Sequence, residues 1–264
     1  MNKKKAQQIF NALNKTSKKS FQKKKFSFSY KSDFLEYKSY LSNFSSEQYQ
    51  LFDGLFNELA VQDSIQSLFA GGIVNQTEHR SALHHRYRAP DPIPEFNFRK
   101  ICAPLLKQIK KEKYQNIITF GIGGSYEGPK LLHEFLLNPS SDISYSFVSG
   151  PDKEEFNAIV KPLLGQKNLY IFASKSLTTD ETLSCLQWLG KNRTDNNSIV
   201  ITANSDGARA LGFADSSIVP FPESVGGRYS IWSPISLAAS IENNFMGFLQ
   251  GGSRADILIS GSSL

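Results

Sequence analysis

The sequence predicts an α/β protein in which helices flank a parallel β-sheet, preceded by an N-terminal helical region. From residue 101 onward, short runs of β-branched and aromatic residues alternate with longer segments of helical periodicity. Helices of about ten residues between successive strands require crossover connections, which pair the strands in parallel. At 264 residues, 40% of them hydrophobic, the chain can also bury the core of one or two domains.

The first 25 residues are strongly basic. They contain nine lysines and no acidic residue, and subtracting these nine charges from the net charge of +6 leaves −3 for the rest of the chain. The basic charge therefore belongs to a tail, expected to be a solvated extension or a short surface helix, and nucleic acid is not expected as a main partner. Residues 6–14 have helical spacing, whereas 15–31 is expected to be irregular.

A longer helix is expected to begin near Ser45, which has capping-box spacing with Gln48. Its apolar spacing continues through Phe69, and a Gly-Gly pair is expected to end it at residue 71.

A proline-rich stretch at 89–98, which follows a polar segment at 73–88, is the predicted linker. The predicted domains are therefore a basic tail and helical region at 1–98, an α/β domain at 99–250 and a separate C-terminal end at 251–264.

The α/β domain is predicted to contain five strands with helices between them. The helix after the first strand, for example, has apolar residues at helical spacing from Leu131 to Leu136. The strands are predicted at 117–120, 143–149, 169–173, 199–203 and 218–221, and the helices near 101–109, after 125, at 152–164, through 183–189 and briefly after 203.

Several functional classes are excluded by what the sequence lacks. No apolar run approaches the ~18 residues of a membrane span, and the lysine-rich start lacks the apolar segment of a secretory signal. Cys102 and Cys185 are too few and too far apart for a disulfide framework or a metal site, so both are expected to be reduced and structural. The four histidines lack metal-ligand spacing and are also expected to be structural. A cytoplasmic protein without membrane contact is predicted.

A glycine-rich loop, Gly-Ile-Gly-Gly-Ser at 121–125, separates the first strand from the next helix. Glycine lets a backbone turn tightly and approach a ligand, and free amides at a helix N-terminus attract anions, which indicates a phosphate site. Tyr126 excludes the dinucleotide glycine pattern, and Pro129 excludes a nucleoside-triphosphate loop. The alternative is a tight turn that needs glycine without binding a ligand.

A second polar loop, 174–182, follows the third strand and begins with four hydroxyl residues and one lysine within six positions. Thr178 and Glu181 have capping-box spacing, which alone would explain part of the pattern. A cap does not require the lysine or the two serines, whereas hydroxyls, helix amides and a lysine charge suit a phosphate monoester. This second loop favours the phosphate hypothesis.

A third loop, 223–230, places two glycines before Arg228. An arginine beside a glycine turn can point into a site and stabilise developing negative charge. The alternative is a surface arginine on an ordinary turn.

Taken together, the three loops resemble the phosphoglucose isomerase family of aldose–ketose isomerases. The matching segments are Gly-Ile-Gly-Gly-Ser at 121–125, Ala-Ser-Lys-Ser-x-Thr-Thr-x-Glu-Thr at 173–182 and Val-Gly-Gly-Arg-Tyr-Ser-x-Trp-Ser at 225–233. Thr-Glu-x-Arg-x-Ala-Leu-His at 77–84 also fits, so the resemblance extends from about residue 35 to residue 250. It implies the sugar isomerase (SIS) fold, a sugar-phosphate substrate, no metal or nucleotide cofactor, and a homodimer.

The resemblance also implies roles for individual residues. Arg228 would stabilise the enediolate while a proton moves between C1 and C2. Ser176 stands where threonine is usual and keeps the hydroxyl, whereas Asp180 replaces a usual glutamine and adds a negative charge. The residues expected to contact the sugar phosphate are Gly124 and Ser125, with a main phosphate cradle formed by Ser174, Lys175, Ser176, Leu177, Thr178 and Thr179.

Chains of this family are longer, and their catalytic glutamate, ring-opening histidine and C-terminal lysine lie in a half that this sequence does not contain. The resemblance ends after Gly251, and residues 251–264 diverge from it. A truncated glucose-6-phosphate isomerase is therefore expected. The rival hypotheses are a non-catalytic sugar-phosphate-binding module and an inactive remnant.

Overall fold

The structure, a computed structural model, describes residues 2–17, 28–31, 36–39, 46–136, 140–241 and 245–261. The chain forms two compact units, Met1–His79 and Arg80–Leu264. The first unit contains α1 (Lys3–Ser17), an antiparallel pair of strands, β1 (Phe28–Lys31) and β2 (Glu36–Ser39), and then α2 (Ser46–Glu58) and α3 (Val61–Ala70).

The basic N-terminus begins with an ordered helix. α1 packs against α2, with Ala6 and Leu13 buried and an ion pair between Lys5 and Glu58. For residues 3–17 the prediction of a surface helix is therefore correct, and the alternative prediction of a solvated extension is wrong. The predicted irregular stretch at 15–31 is wrong at both ends, since α1 continues to Ser17 and β1 begins at Phe28.

The predicted long helix is two helices, because the chain turns at Ala60, whose backbone is left-handed with φ 50°. As predicted, the second helix ends at a glycine: Gly71 has φ 87°, and its amide donates to the carbonyls of Leu68 and Ser67. The predicted cap at Ser45 lies outside the described residues.

The second unit contains a five-stranded sheet whose strands are all parallel, in the order β4-β3-β5-β6-β7. Each strand lies within one residue of its predicted ends, so the α/β prediction is confirmed. The elements are α4 (Phe98–Glu112), β3 (Asn116–Gly121), α5 (Glu127–Leu136), β4 (Ser144–Val148), α6 (Lys153–Val160), β5 (Asn168–Ala173), α7 (Asp180–Leu189), β6 (Ser198–Thr202), α8 (Ser205–Ala210), β7 (Ile218–Pro220), α9 (Leu237–Ser240) and α10 (Phe245–Gly261).

The sheet separates two hydrophobic cores. Ile117 faces the core that contains residues of α4, α5, α9 and α10, and Ile118 faces the core that contains residues of α6, α7 and α8. Every residue of β3 and β5 is buried, which explains their continuous apolar sequence. Cys102 and Cys185 are free and buried, one in each core, and burial raises the pKa of the Cys185 thiol to about 12.

The proline-rich stretch predicted to be a linker packs into the sheet unit. Phe96 and Phe98 are buried in the first of the two cores, together with Tyr87. The division between the compact units falls earlier, between His79 and Arg80. The predicted domain limits stay predictions about which segments fold independently. Within the described ranges, no helix has both the length and the apolar character needed to span a bilayer.

We predict that Leu13→Ala destabilises the α1–α2 pair, because Leu13 is 8% exposed whereas the neighbouring Phe10 is 49% exposed. Removing a buried leucine side chain costs about 2–5 kcal/mol. Amide hydrogen exchange within α1 and α2 should therefore become faster in Leu13→Ala than in the control Phe10→Ala. Equal exchange in both variants would show that α1 is not held by this face.

Candidate functional site

The three loops leave the sheet at the carboxyl ends of its strands, where ligands bind in open parallel sheets. β3 and β5 are neighbours, and Gly121 at the end of β3 is opposite Ala173 at the end of β5. The glycine loop and the hydroxyl loop therefore start side by side. The third loop follows β7, at the edge of the sheet.

Two glycines of the first loop are required by the turn itself. A Cβ at Gly121 would lie 2.8 Å from the carbonyl oxygen of Ser125 and 3.1 Å from that of Ala173. Gly123 has φ 51°, a left-handed conformation that glycine adopts without strain. The tight-turn alternative therefore explains these two positions without a ligand.

Gly124 is required for a different reason, which the sequence did not indicate. A Cβ at this position would overlap the carbonyl group of Gly227 and lie 2.7 Å from the amide nitrogen of Arg228. The glycine loop is thus packed backbone against backbone on the third loop. The structure therefore brings the loop of Gly124 and Ser125 into contact with the loop of Arg228.

The hydroxyl loop forms two pairs of side chains. Ser174 Oγ lies 3.3 Å from Thr179 Oγ1, and Ser176 Oγ lies 2.7 Å from Thr178 Oγ1. Ser174 is buried, whereas Ser176 and Thr178 are both exposed. The structure therefore arranges the four hydroxyl groups of the predicted cradle as two pairs within one loop.

Two backbone amides of this loop donate hydrogen bonds within the loop itself. The Leu177 amide donates to Ser174 Oγ at 3.2 Å and the Thr178 amide donates to Ser176 Oγ at 3.3 Å. Leu177 has φ 52°, an uncommon conformation for a non-glycine residue that has to be maintained by its surroundings. The amides of residues 177 and 178 already donate to serine hydroxyls of the loop. The hydroxyl groups are therefore better placed than these amides to donate to a ligand.

The predicted capping box is wrong. The N-cap of α7 is Thr179 instead of Thr178, and its side chain makes no capping hydrogen bond. Thr178 is paired with Ser176. Capping consequently explains none of the hydroxyl groups, and the amides of the first turn of α7 have no side-chain cap from Thr179.

The end of β6 anchors the hydroxyl loop, an arrangement that sequence reasoning missed. The Lys175 carbonyl accepts hydrogen bonds from the Ala203 amide at 2.9 Å and from Thr202 Oγ1 at 3.0 Å. The Asn204 side chain donates to the Ser176 carbonyl at 3.0 Å and also caps α8. An asparagine between a strand and a helix would have indicated the cap but not the contact with the loop.

The Lys175 side chain forms hydrogen bonds with the third loop. Its Nζ donates to the carbonyl oxygen of Glu223 at 2.6 Å and to that of Val225 at 3.3 Å. The side chain thus extends from the hydroxyl loop to the third loop.

Arg228 is exposed, and its guanidinium carbon lies 5.4 Å from the centre of the Tyr229 ring. His84 is stacked on the same ring at 4.5 Å. Burial, followed by the charges of Arg88 and His85, lowers the pKa of His84. Among the described residues, Arg228 forms no ion pair, and no group of three or more His, Cys, Asp or Glu could hold a metal ion.

Comparisons with known proteins agree on one family. Residues 39–263 match the family model described as phosphoglucose isomerase, so the expectation that the resemblance ends after Gly251 is wrong. A glucose-6-phosphate isomerase of Zymomonas mobilis subsp. mobilis is 34% identical over 210 residues, which cover 72% of this chain and 41% of the relative. One from Pseudomonas fluorescens is 31% identical over 256 residues, which cover 84% and 46%. The chain thus spans less than half the length of these curated relatives.

Solved structures agree on the fold. A glucose-6-phosphate isomerase from Chlamydia trachomatis superposes with a TM-score of 0.65 at 21% identity, over 81% of this chain and 46% of the other. A hypothetical protein from Thermus thermophilus superposes with a TM-score of 0.54 at 23% identity, over 76% and 48%.

We predict that Gly124→Ala destabilises the sheet unit, because the new methyl group would overlap the Gly227 carbonyl. Forced overlap in a packed region costs about 1–3 kcal/mol, a loss of several degrees in melting temperature. The control is Gly227→Ala, since a Cβ there meets nothing within 4 Å. Thermal unfolding of the two variants is the measurement, and equal melting temperatures would contradict the close approach of the loops.

Proposed function

The chain belongs to the phosphoglucose isomerase family and has the sugar isomerase type of α/β fold. From this premise we propose that the sheet unit binds the phosphate group of a hexose 6-phosphate. The whole protein would be a glucose-6-phosphate isomerase, which interconverts glucose 6-phosphate and fructose 6-phosphate in glycolysis and gluconeogenesis. The observation on which the proposal rests is the hydroxyl loop, whose four hydroxyls form two pairs and cap no helix.

The chemistry of the hydroxyl loop suits a phosphate. In each hydroxyl pair one group donates to the other, so the accepting group retains a proton that it can donate to a phosphate oxygen. The N-terminus of α7 follows directly, and its dipole favours an anion. Ser125 supplies a further hydroxyl, which makes no hydrogen bond within the described residues.

Arg228 would act at the other end of the sugar. Aldose–ketose interconversion through an enediol requires that a proton leave carbon, and negative charge then develops on oxygen. A guanidinium group held beside the site stabilises such an oxyanion electrostatically. The packing of Gly124 on Gly227 supports this role, because it ties the Arg228 loop to the loop of Ser125.

Of the four acids in or beside the three loops, Glu223 is exposed on the third loop, and the other three are poorly placed to act as the general base. Glu127 and Glu181 lie in the first turns of α5 and α7, where an acid is favoured by the helix dipole. Asp180 adjoins the proposed phosphate cradle, at the wrong end of a hexose for C1 and C2. This observation also favours a second candidate function, sugar-phosphate binding without turnover. A cytoplasmic location, expected from the sequence, and a homodimer, implied by the family resemblance, stay predictions.

We predict that Ser176→Ala/Thr179→Ala binds fructose 6-phosphate more weakly than the unmodified chain. Hydrogen bonds to charged groups contribute about 1.5–3 kcal/mol each, so the dissociation constant should rise at least about tenfold. The control is Ser216→Ala, an exposed serine shortly before β7, at the end of the strands opposite the three loops. Titration calorimetry is the measurement, and equal affinity in the double variant would refute the cradle.

We also predict that purified protein of residues 1–264 binds the sugar phosphate but does not isomerise it at a useful rate. General base catalysis contributes ~10²–10⁴-fold and needs a base within hydrogen-bond reach of the substrate proton. A coupled assay on monodisperse protein, with a mock preparation as background, measures the turnover. Enzyme-like turnover that Glu181→Gln abolishes would make Glu181 the base and overturn this prediction.

A further inference from the structure

We infer that Lys175, together with Arg80, is a positioning residue for Arg228: the two cations hold the third loop against the hydroxyl loop, and the Lys175 ammonium group does not serve as a phosphate ligand. This inference rests on the proposed function, because it assigns Lys175 a role within the same site.

The carbonyl oxygens of residues 223–225 accept hydrogen bonds from outside their own loop. Lys175 Nζ donates to the first and third of these carbonyls, at 2.6 and 3.3 Å. Arg80 Nη1 donates to the first, at 2.9 Å, and the Leu83 amide donates to the second, at 3.0 Å. Three consecutive carbonyl groups are therefore fixed by other parts of the sheet unit.

This external attachment matters because of the residues that follow. Gly226 and Gly227 separate the attached carbonyls from Arg228, and glycine has the greatest backbone freedom of any residue. Hydrogen bonds from charged donors are stronger than those between neutral groups. Lys175 and Arg80 thus restrict the start of a segment that would otherwise leave the guanidinium group poorly directed.

Lys175 is itself attached at its backbone. Its carbonyl accepts from the Ala203 amide and from Thr202 Oγ1 at the end of β6. The side chain consequently extends from a fixed point in the hydroxyl loop to the third loop. Two loops that would contact opposite ends of one substrate are joined by a single residue.

The test compares the binding of two ligands, each of which probes a different part of the site. Inorganic phosphate probes the hydroxyl loop alone. A six-carbon aldonic acid 6-phosphate adds a carboxylate, whose negative charge resembles that of the enediolate and so probes Arg228. The variants are Lys175→Met, Arg80→Met, Arg228→Ala and Lys175→Met/Arg228→Ala, and the control is Lys191→Met, an exposed lysine beyond the end of α7.

A positioning role predicts a selective loss. Lys175→Met should bind inorganic phosphate within about twofold of the unmodified chain, and the aldonic acid phosphate at least about tenfold more weakly. The double variant should bind the aldonic acid phosphate no more weakly than Arg228→Ala alone, because the two changes remove one effect. Hydrogen exchange at the Leu83 and Val225 amides should accelerate in Lys175→Met, and to a lesser degree in Arg80→Met, but not in Lys191→Met.

A direct role for the lysine charge predicts a different result, which would overturn the inference. The affinity of Lys175→Met for both ligands would then fall by the same factor, and the effects of Lys175→Met and Arg228→Ala on affinity would add. Hydrogen exchange at the Leu83 and Val225 amides would stay unchanged. If Lys175→Met does not fold, Arg80→Met decides by the same comparison, since Arg80 donates to the same Glu223 carbonyl. An unmodified chain that binds neither ligand would refute the proposed function, while hydrogen exchange would still decide the role of Lys175.

Discussion

The candidate site depends on one contact between two backbones, in which Gly124 lies against the carbonyl group of Gly227. A side chain at Gly124 has no room there, so the end of the loop after β3 and the start of the Arg228 segment touch directly. Because β3 is also the neighbour of β5, the same loop lies beside the hydroxyl loop. A side chain at Gly124 would push the start of the Arg228 segment away from the loop after β3.

The fold was predictable because its signals are local. Strands buried on both faces appear in the sequence as continuous apolar runs, as in β3 and β5, and the helices between them keep a helical period. The burial of individual apolar residues was less predictable. In α5 the spacing predicts the helix, yet Leu132 is 3% exposed while Leu131 and Phe135 are 63% and 81% exposed. Burial depends on what packs against a helix, and a local period does not contain that information.

The site was predictable only as a set of segments. Residue type and order identified the hydroxyl loop and the family, but the direction of Lys175 is set by carbonyl groups 48 and 50 residues away. The left-handed conformations of Ala60 and Leu177 escaped prediction for a related reason, since neither residue type favours a positive φ. Such conformations are imposed by the surrounding packing. The capping-box prediction failed because Thr178 pairs with Ser176.

The two tasks proposed for the site have different structural requirements. Phosphate binding needs hydroxyls and a helix N-terminus that lie together in one short loop, which a single βα unit can supply. Stabilisation of an enediolate, the role proposed for Arg228, would need this side chain to stay directed at a point fixed by a different loop, which requires contacts across the sheet unit. These long-range contacts are made by the Lys175 and Arg80 side chains to backbone carbonyls, and by the backbones of Gly124 and Gly227 to each other. The binding function should therefore tolerate disruption of the third loop, whereas the electrostatic function should not.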